Sequence, residues 1–372
     1  MLLKAVAARI AGCLSEQDTV ARLGGDEFAV IQVGAKQPQG AKMLAQRIID
    51  GMPEPFVVHG HKLTIGVSVG VALAPSDGVD VDALLKRADL ALYRAKAEGR
   101  SRLCFFEPGM DREAQARRTL ESDMREALAR GEFQLYYQPF MSLAQSEVTG
   151  FEALLRWNHP TRGLVLPGEF ILLAEETGLI AQMGEWIIRQ ACAEAAQFPE
   201  TMRIAVNVSA VQVRSPQFVQ LVVSALAASR LAPHRLELEI TETVLMESSE
   251  AVLKTLHQLR GLGVRVALDD FGTGYSSLSY LSRFPFNKLK IDRSFVSGLG
   301  TNPDCAAIVR AIVSLGASLG MTITAEGVET AAQLDFIRAV GCSEAQGYLL
   351  STPKPAQEAL GILGRGRAIA AA

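Results

Sequence analysis

The chain has 372 residues, with 37 Lys and Arg against 40 Asp and Glu, so its formal net charge is -3. Hydrophobic residues make up 49% and charged residues 21%, which excludes general disorder. The near balance of charge excludes a protein built to coat nucleic acid, and no uninterrupted apolar run is long enough to cross a membrane. At roughly 100–200 residues per domain, the length predicts two domains, or a barrel plus a smaller module. The cysteines, Cys13, Cys104, Cys192, Cys305 and Cys342, are odd in number and form no CxxC pair. They read as reduced thiols of a cytoplasmic protein. His59 and His61 sit at strand spacing, and a solvated hairpin explains them better than a metal pair.

In chain order, Leu3, Val6, Ile10 and Leu14 share one helical face, so the start reads as an amphipathic helix rather than a signal peptide. A strand pair flanks Gly24-Gly25, and a helix runs from Gly40 to Ile49. Strands follow over Phe56–Val58 and Leu63–Ala72, then a helix over Asp80–Ala97 and a strand over Leu103–Phe106. This mixture predicts an α+β module over residues 1–107. The charged stretch 108–118 lacks a large apolar face and reads as a linker. A helix begins at Thr119 and stops at Gly131.

Beyond Glu132, short apolar strands alternate with stretches long enough for a helix. The strands are Phe133–Gln138, Val148–Leu154, Ile204–Val208, Leu236–Ile240, Val264–Leu268, Lys288–Ile291, Thr322–Ala325 and Ala345–Leu349. Eight strands over about 240 residues fit an α/β fold of the (β/α)8 barrel type. The turn near Ser142–Ser146 is too short for a parallel crossover, so one strand should be reversed. The barrel domain spans 119–365 and leaves a tail, 366–372.

Polar groups follow successive barrel strands: Glu152, Asn207, Glu239 and Glu242, Asp269 and Asp270, Lys290, Glu326 and Glu329, and Gln346. Barrel active sites gather at the carboxyl ends of the strands. A ring of carboxylates repels itself unless cations bind it, and oxygen ligands without His or Cys suit Mg²⁺ or Mn²⁺. Two such ions could clamp an in-line phosphoryl displacement. Lys290 could hold the attacking water or the developing charge, and Arg156 could fork onto a phosphate oxygen. Taken singly, Asp269-Asp270 could be a cap pair, Glu329 a helix start and Glu242 a helix cap.

The ordered set GFEALLRW, NVS, EITE, DDFGTGYSSL, KLKID, AEGVE and QGY resembles an EAL domain, from about Thr119 to Leu363. The resemblance implies a cyclic-di-GMP phosphodiesterase on a modified barrel, often dimeric. It implies metal ligands at Glu152, Asn207, Glu239, Asp269, Asp270 and Glu326. Lys290 and Glu329 match residues assigned to the water and metal site, with Glu152 and Asp269 sharing the catalytic role. Leu154, Arg156 and Gln346 match substrate or water contacts, and Glu242 matches the anchor of the loop from Asp269 to Leu278. The product would be linear pGpG. The rival expectation is a non-catalytic cyclic-di-GMP receptor or scaffold.

In the smaller module, Arg22-Leu23-Gly24-Gly25-Asp26-Glu27-Phe28 joins two strand-like runs, and Ala88 to Arg102 reads ADLALYRAKAEGRSR. Together they resemble a GGDEF domain, the diguanylate cyclase fold, with Glu27 as metal ligand and Lys96 and Arg100 as phosphate contacts. GTP is the ligand this resemblance would place there, at a degenerate site. A complete domain would carry about sixty further residues upstream, including a central strand and a second metal-binding aspartate. The inhibitory RxxD would fall at Ser15–Asp18, where serine replaces its arginine. The expectation is therefore no cyclase activity from this chain. It could be the cytoplasmic part of a longer membrane-bound sensor.

Overall fold

The computed structural model describes residues 1–363, except 59, 243, 245–249, 273–280 and 282, and describes only the backbone of 61. The expected tail, His59 and most of the loop ending at Leu278 lie outside the described residues. The chain divides into two compact units, Met1–Leu120 and Glu121–Ala372.

In the first unit, α1 (Leu2–Ala11) and α2 (Gln39–Gly51) bury Val6, Ile10, Leu44, Ile48 and Met52 around Phe56. The antiparallel hairpin β1 (Thr19–Gly24) and β2 (Glu27–Ile31) turns at Gly25, whose φ of +47° suits glycine. The expected strand Leu63–Ala72 is broken. β4 (His61–Leu63) pairs with β3 (Phe56–Val58), and β5 (Val69–Val71) pairs in parallel with β6 (Leu103–Phe105). Gly70 of β5 lies so close to α3 (Val81–Ala97) that a Cβ there would collide with the backbone of Ala88 and Leu92. Asp80 caps α3, its carboxylate accepting from the Ala83 N–H at 2.9 Å.

The expected linker is helical: α4 runs from Met110 to Arg130. Its hydropathy is low because charged residues cover most of its surface. However, Met110, Leu120, Met124 and Ala127 are buried, and Arg125 pairs with Glu121 at 2.8 Å, four residues away. A sparse apolar stripe with charge pairing hid its first turns from a pattern based on apolar spacing.

In the second unit, β7 (Phe133–Ser142) and β8 (Glu147–His159) form an antiparallel pair through a turn at Ser146, φ +55°. From β8 the strands run parallel through β10 (Arg203–Asn207), β11 (Leu236–Thr241), β12 (Arg265–Phe271), β13 (Lys288–Ile291), β14 (Thr322–Ala325) and β15 (Glu344–Gln346). β15 closes on β7 in antiparallel register, so the barrel has eight strands and one of them is reversed. Two short strands extend its edges: β9 (Gly163–Val165) on β8, and β16 (Lys354–Pro355) on β7. The last barrel strand is shorter than expected, because the chain turns at Gly347. There a Cβ would collide with the Val328 backbone.

Helices follow the strands: α5 (Pro167–Glu176), α6 (Ile180–Ala195), α7 (Ala210–Val213), α8 (Phe218–Ser229), α9 (Glu250–Gly261), α10 (Arg293–Ser297), α11 (Pro303–Ser318), α12 (Ala331–Ala339) and α13 (Ala356–Ile362). Strand residues that face them are apolar, such as Ile204, Val206, Leu238, Val266 and Leu289, each at most 1% exposed.

Candidate active site

The period of two in a strand places one charged layer directly above another. Glu237 and Glu239 alternate on β11, Lys288 and Lys290 on β13, and Glu344 and Gln346 on β15. The upper layer lies at the carboxyl ends of the strands and gathers the expected site residues.

Lys290 is its centre, 1% exposed. Its Nζ lies 2.7 Å from Glu239, 3.2 Å from Asp269, 2.6 Å from Glu326 and 3.8 Å from Glu152. Burial alone would lower its pKa, but Asp269, Glu152, Glu239 and Glu326 outweigh burial and hold the ammonium protonated well above the usual lysine range. Four carboxylates still outnumber one ammonium. Burial, then Asp269, pushes Glu326 up to about 8, and the same two causes push Asp270 up to about 6. Burial also drives Glu239 upward, with Glu152 and Asp269 adding to it and Lys290 opposing.

Glu152 is fixed by two side-chain amides. Asn207 Nδ2 donates to Oε1 at 2.6 Å and Gln346 Nε2 to Oε2 at 2.6 Å. With Lys290, these donors offset the burial penalty and hold its carboxyl below the usual range. Gln346 also donates to Gln138 Oε1 at 3.3 Å, and Gln138 Nε2 donates to the Ser351 carbonyl at 3.1 Å. Gln138 was missed at the sequence level, although it pairs directly with Glu152 in register.

Asp269 and Asp270 lie inside β12 rather than forming a helix cap. The register shifts between Leu268 and Phe271, and Asp270 adopts φ +54°. Aspartate tolerates this left-handed conformation better than most residues, but it remains strained. The Asp270 N–H donates to Asp269 Oδ1 at 2.9 Å. Just beyond, the Gly272 N–H donates to Glu242 Oε1 at 2.8 Å, tying the start of the loop to β11's end. Glu242 is 5% exposed, and its Oε2 lacks a hydrogen-bond partner among the described residues.

Oxygens of Asp269, Asp270 and Glu326 all lie within 4.8 Å of one another. Glu326 Oε1 lies 2.6 Å from the Lys290 ammonium. An all-oxygen donor set and an excess of buried negative charge fit a hard divalent cation. Glu329 does not join this group. It is exposed, immediately precedes Thr330, the N-cap of α12, and its N–H donates to Gln333 Oε1 at 2.8 Å. The helix-start reading accounts for this placement.

Glu152, Leu154 and Arg156 share one face of β8. Leu154 and Arg156 are half-buried, and the Arg156 guanidinium stands 5.5 Å from the Tyr136 ring centroid. Its Nη1 donates to the Leu155 carbonyl at 2.8 Å. In the first unit, Gly24, Gly25, Asp26 and Glu27 are exposed, and Arg22 donates to the Gly25 carbonyl at 2.6 and 3.0 Å. Lys96 and Arg100 are also exposed, and among the described residues neither bonds to the hairpin.

The lower layer went unread at the sequence level. Lys288, 1% exposed, lies 2.5 Å from Glu237 and 2.9 Å from Glu344. Arg203 pairs with Glu344, and Arg265 Nε donates to Glu237 Oε2 at 3.1 Å. Thr149 and Thr324 hydroxyls each donate to Glu344 at 3.1 Å. The alternation in LELEIT and KLKI was its signal.

A sequence profile described as EAL domain matches residues 121–353, and one described as diguanylate cyclase, GGDEF domain, matches residues 1–102. The chain is 45% identical over 364 residues to the bifunctional diguanylate cyclase/cyclic di-GMP phosphodiesterase MucR of Pseudomonas aeruginosa, covering 97% of this chain and 53% of that protein. It is 42% identical to the cyclic di-GMP phosphodiesterase NbdA of the same organism, covering 95% of this chain and 46% of the relative. The chain thus spans about half the length of the curated relatives it matches. A solved structure of the MucR phosphodiesterase in complex with c-di-GMP superposes with a TM-score of 0.63 at 46% identity, covering 65% of this chain and 99% of that one.

Proposed function

The chain belongs to the EAL domain family, and we propose that it hydrolyses one phosphodiester bond of cyclic-di-GMP to give linear pGpG. The observation that carries this reading is Lys290, buried among Glu152, Glu239, Asp269 and Glu326 at the carboxyl ends of the barrel strands. A site built only to bind a dianionic ligand has no use for so many carboxylates facing it. A site that activates water beside a phosphate does.

Two Mg²⁺ or Mn²⁺ ions, held by Glu152, Asn207, Glu239, Asp269, Asp270 and Glu326, would supply Lewis-acid polarisation of the phosphoryl oxygens and a more acidic water. The protein's own groups do the rest. Asn207 and Gln346 lock the Glu152 carboxylate, so its lone pairs are aimed before substrate arrives. Lys290 places a cation at the floor of the cluster, where its N–H donors orient a water lying among the carboxylates and face the negative charge that develops on phosphorus. Arg156 and Leu154, at the rim of β8, take a phosphate oxygen and the apolar flank of the nucleotide. Water attacks phosphorus in line with the ribose 3′-oxygen and gives up one proton to a carboxylate of the cluster. The P–O3′ bond breaks, and the 3′-oxygen leaves with its electron pair and takes up one proton, so no net proton is gained or lost. Glu329 contributes only if substrate binding draws the segment before α12 inward.

For the first unit we infer no cyclase activity. The same proposal assigns this unit a scaffold role, with a homodimer formed through the barrel, GTP as the candidate ligand of the degenerate hairpin, and the cytoplasm as its compartment. Among the described residues, no helix is long and apolar enough to cross a membrane. The deciding experiment incubates the protein with cyclic-di-GMP and Mg²⁺ or Mn²⁺ and follows pGpG. Tight binding without product under either metal would select the receptor reading.

A further inference from the structure

The amino ends of the barrel strands, opposite the carboxylate cluster, hold a cleft of about 430 Å³. Arg260 in the last turn of α9 and Arg265 at the start of β12 line it, with Asn287, Thr322 and the Phe284 and Phe286 rings. The two rings stack, with centroids 5.8 Å apart and planes 17° from parallel.

The lining is rich in unspent donors. Arg260 is exposed and makes no ion pair or hydrogen bond among the described residues. Arg265 spends Nε on buried Glu237, which fixes its guanidinium and leaves the remaining N–H groups for another acceptor. Asn287 spends Oδ1 on the Val266 N–H at 3.0 Å, and its amide NH₂ has no protein acceptor among the described residues. The charge beneath is also positive on balance, because Arg203, Arg265 and Lys288 outnumber Glu237 and Glu344. Among the described residues, no carboxylate lines the cleft. Its size falls in the range of small-molecule sites, roughly 300–1,000 Å³.

We propose that this cleft is a second ligand site, for a small anion bearing a phosphate or carboxylate group. That group is forked by Arg260 and Arg265, with Asn287 donating from the side, while the buried Phe284 and Phe286 rings only shape the floor. The site is separate from the hydrolytic centre, and its existence does not depend on what that centre does.

Phenyl phosphate is the probe, titrated calorimetrically into the full chain with EDTA present so that the carboxylate cluster holds no metal. Saturable binding at one site is expected. Arg260→Gln should weaken it about tenfold or more, the worth of a charge-assisted hydrogen bond. Arg156→Gln, at the far mouth of the barrel, should leave it unchanged. Arg260 is exposed on a helix surface, so unchanged Trp fluorescence will show that its variant is folded. Three results each overturn the proposal: no saturable binding, equal affinity in Arg260→Gln and the parent chain, or loss in Arg156→Gln instead.

Discussion

Replacing Lys290 with Met removes the ammonium and leaves its largely buried carboxylate neighbours facing one another. Breaking a buried ion pair from one side costs about 3–5 kcal/mol. Here Glu239, Asp269, Glu326 and Glu152 all lose their counterion, although proton uptake relieves part of the cost. Glu326, already pushed up to about 8, would be protonated first. For a barrel of this size, 1 kcal/mol corresponds to about 2–4 °C in Tm, so the metal-free variant should melt about 10 °C lower. A divalent cation can replace the lost charge, so Mg²⁺ should raise the variant's Tm by more than the parent's. Both tryptophans, Trp157 and Trp186, lie in the barrel unit, so their fluorescence reports its unfolding without interference from the first unit. Hydrolysis of cyclic-di-GMP should fall at least about 100-fold even at saturating Mg²⁺, because the oriented donor is gone. Equal metal-free melting of variant and parent, with equal gains from Mg²⁺, would refute the charge-crowding argument.

The lower layer predicts an acid limit to stability. Burial opposes ionisation of Glu344, but Lys288 and Arg203 hold its carboxyl down to about 2. Its folded value is depressed, so its contribution is present above about 4.5 and is lost as pH falls toward 2, about 3 kcal/mol in all. Acid titration of barrel stability should therefore be less steep in Glu344→Gln by about one proton, and an unchanged slope would contradict this assignment. Gln346→Leu frees Glu152 Oε2 and Gln138 Oε1 at once, so turnover should drop about 10–100-fold with a smaller change in KM. A change confined to KM would make Gln346 a binding residue instead. Glu242→Gln weakens a charge-assisted bond to the Gly272 N–H, worth about 1.5–3 kcal/mol, and should raise the Mg²⁺ concentration for half-maximal activity. If its Tm falls while its Mg²⁺ dependence stays unchanged, Glu242 acts only as a cap.

Fold and site were legible to different depths. Strand alternation and turn length were enough to read the eight barrel strands and the reversed one, because buried parallel strands leave short apolar runs. Strand ends were less legible. β12 runs through Asp269-Asp270 only because Asp270 accepts a left-handed φ, which no spacing rule anticipates. Glu152, Asn207, Glu239, Asp269, Lys290, Glu326 and Gln346 meet as their positions suggested, each set by register at a carboxyl end. Glu329 does not, because Thr330 takes over as a helix cap beside it. The lower layer of Glu237, Lys288 and Glu344 escaped notice because a charged residue inside an apolar strand reads as facing solvent until the barrel closes over it. The helix through 110–118 escaped because its stability rests on sparse apolar contacts and paired charges rather than on a continuous face.

The central claim is that the oxygen cluster at the strand ends turns over cyclic-di-GMP. Product formation by the parent chain and Asp269→Asn, measured side by side with Mg²⁺ or Mn²⁺ and with substrate binding followed in parallel, tests it most directly. The account predicts pGpG from the parent and a loss of several orders of magnitude in the variant, with substrate still bound through Arg156. It is contradicted if the parent binds cyclic-di-GMP without ever releasing product, or if Asp269→Asn turns over at near the parent rate.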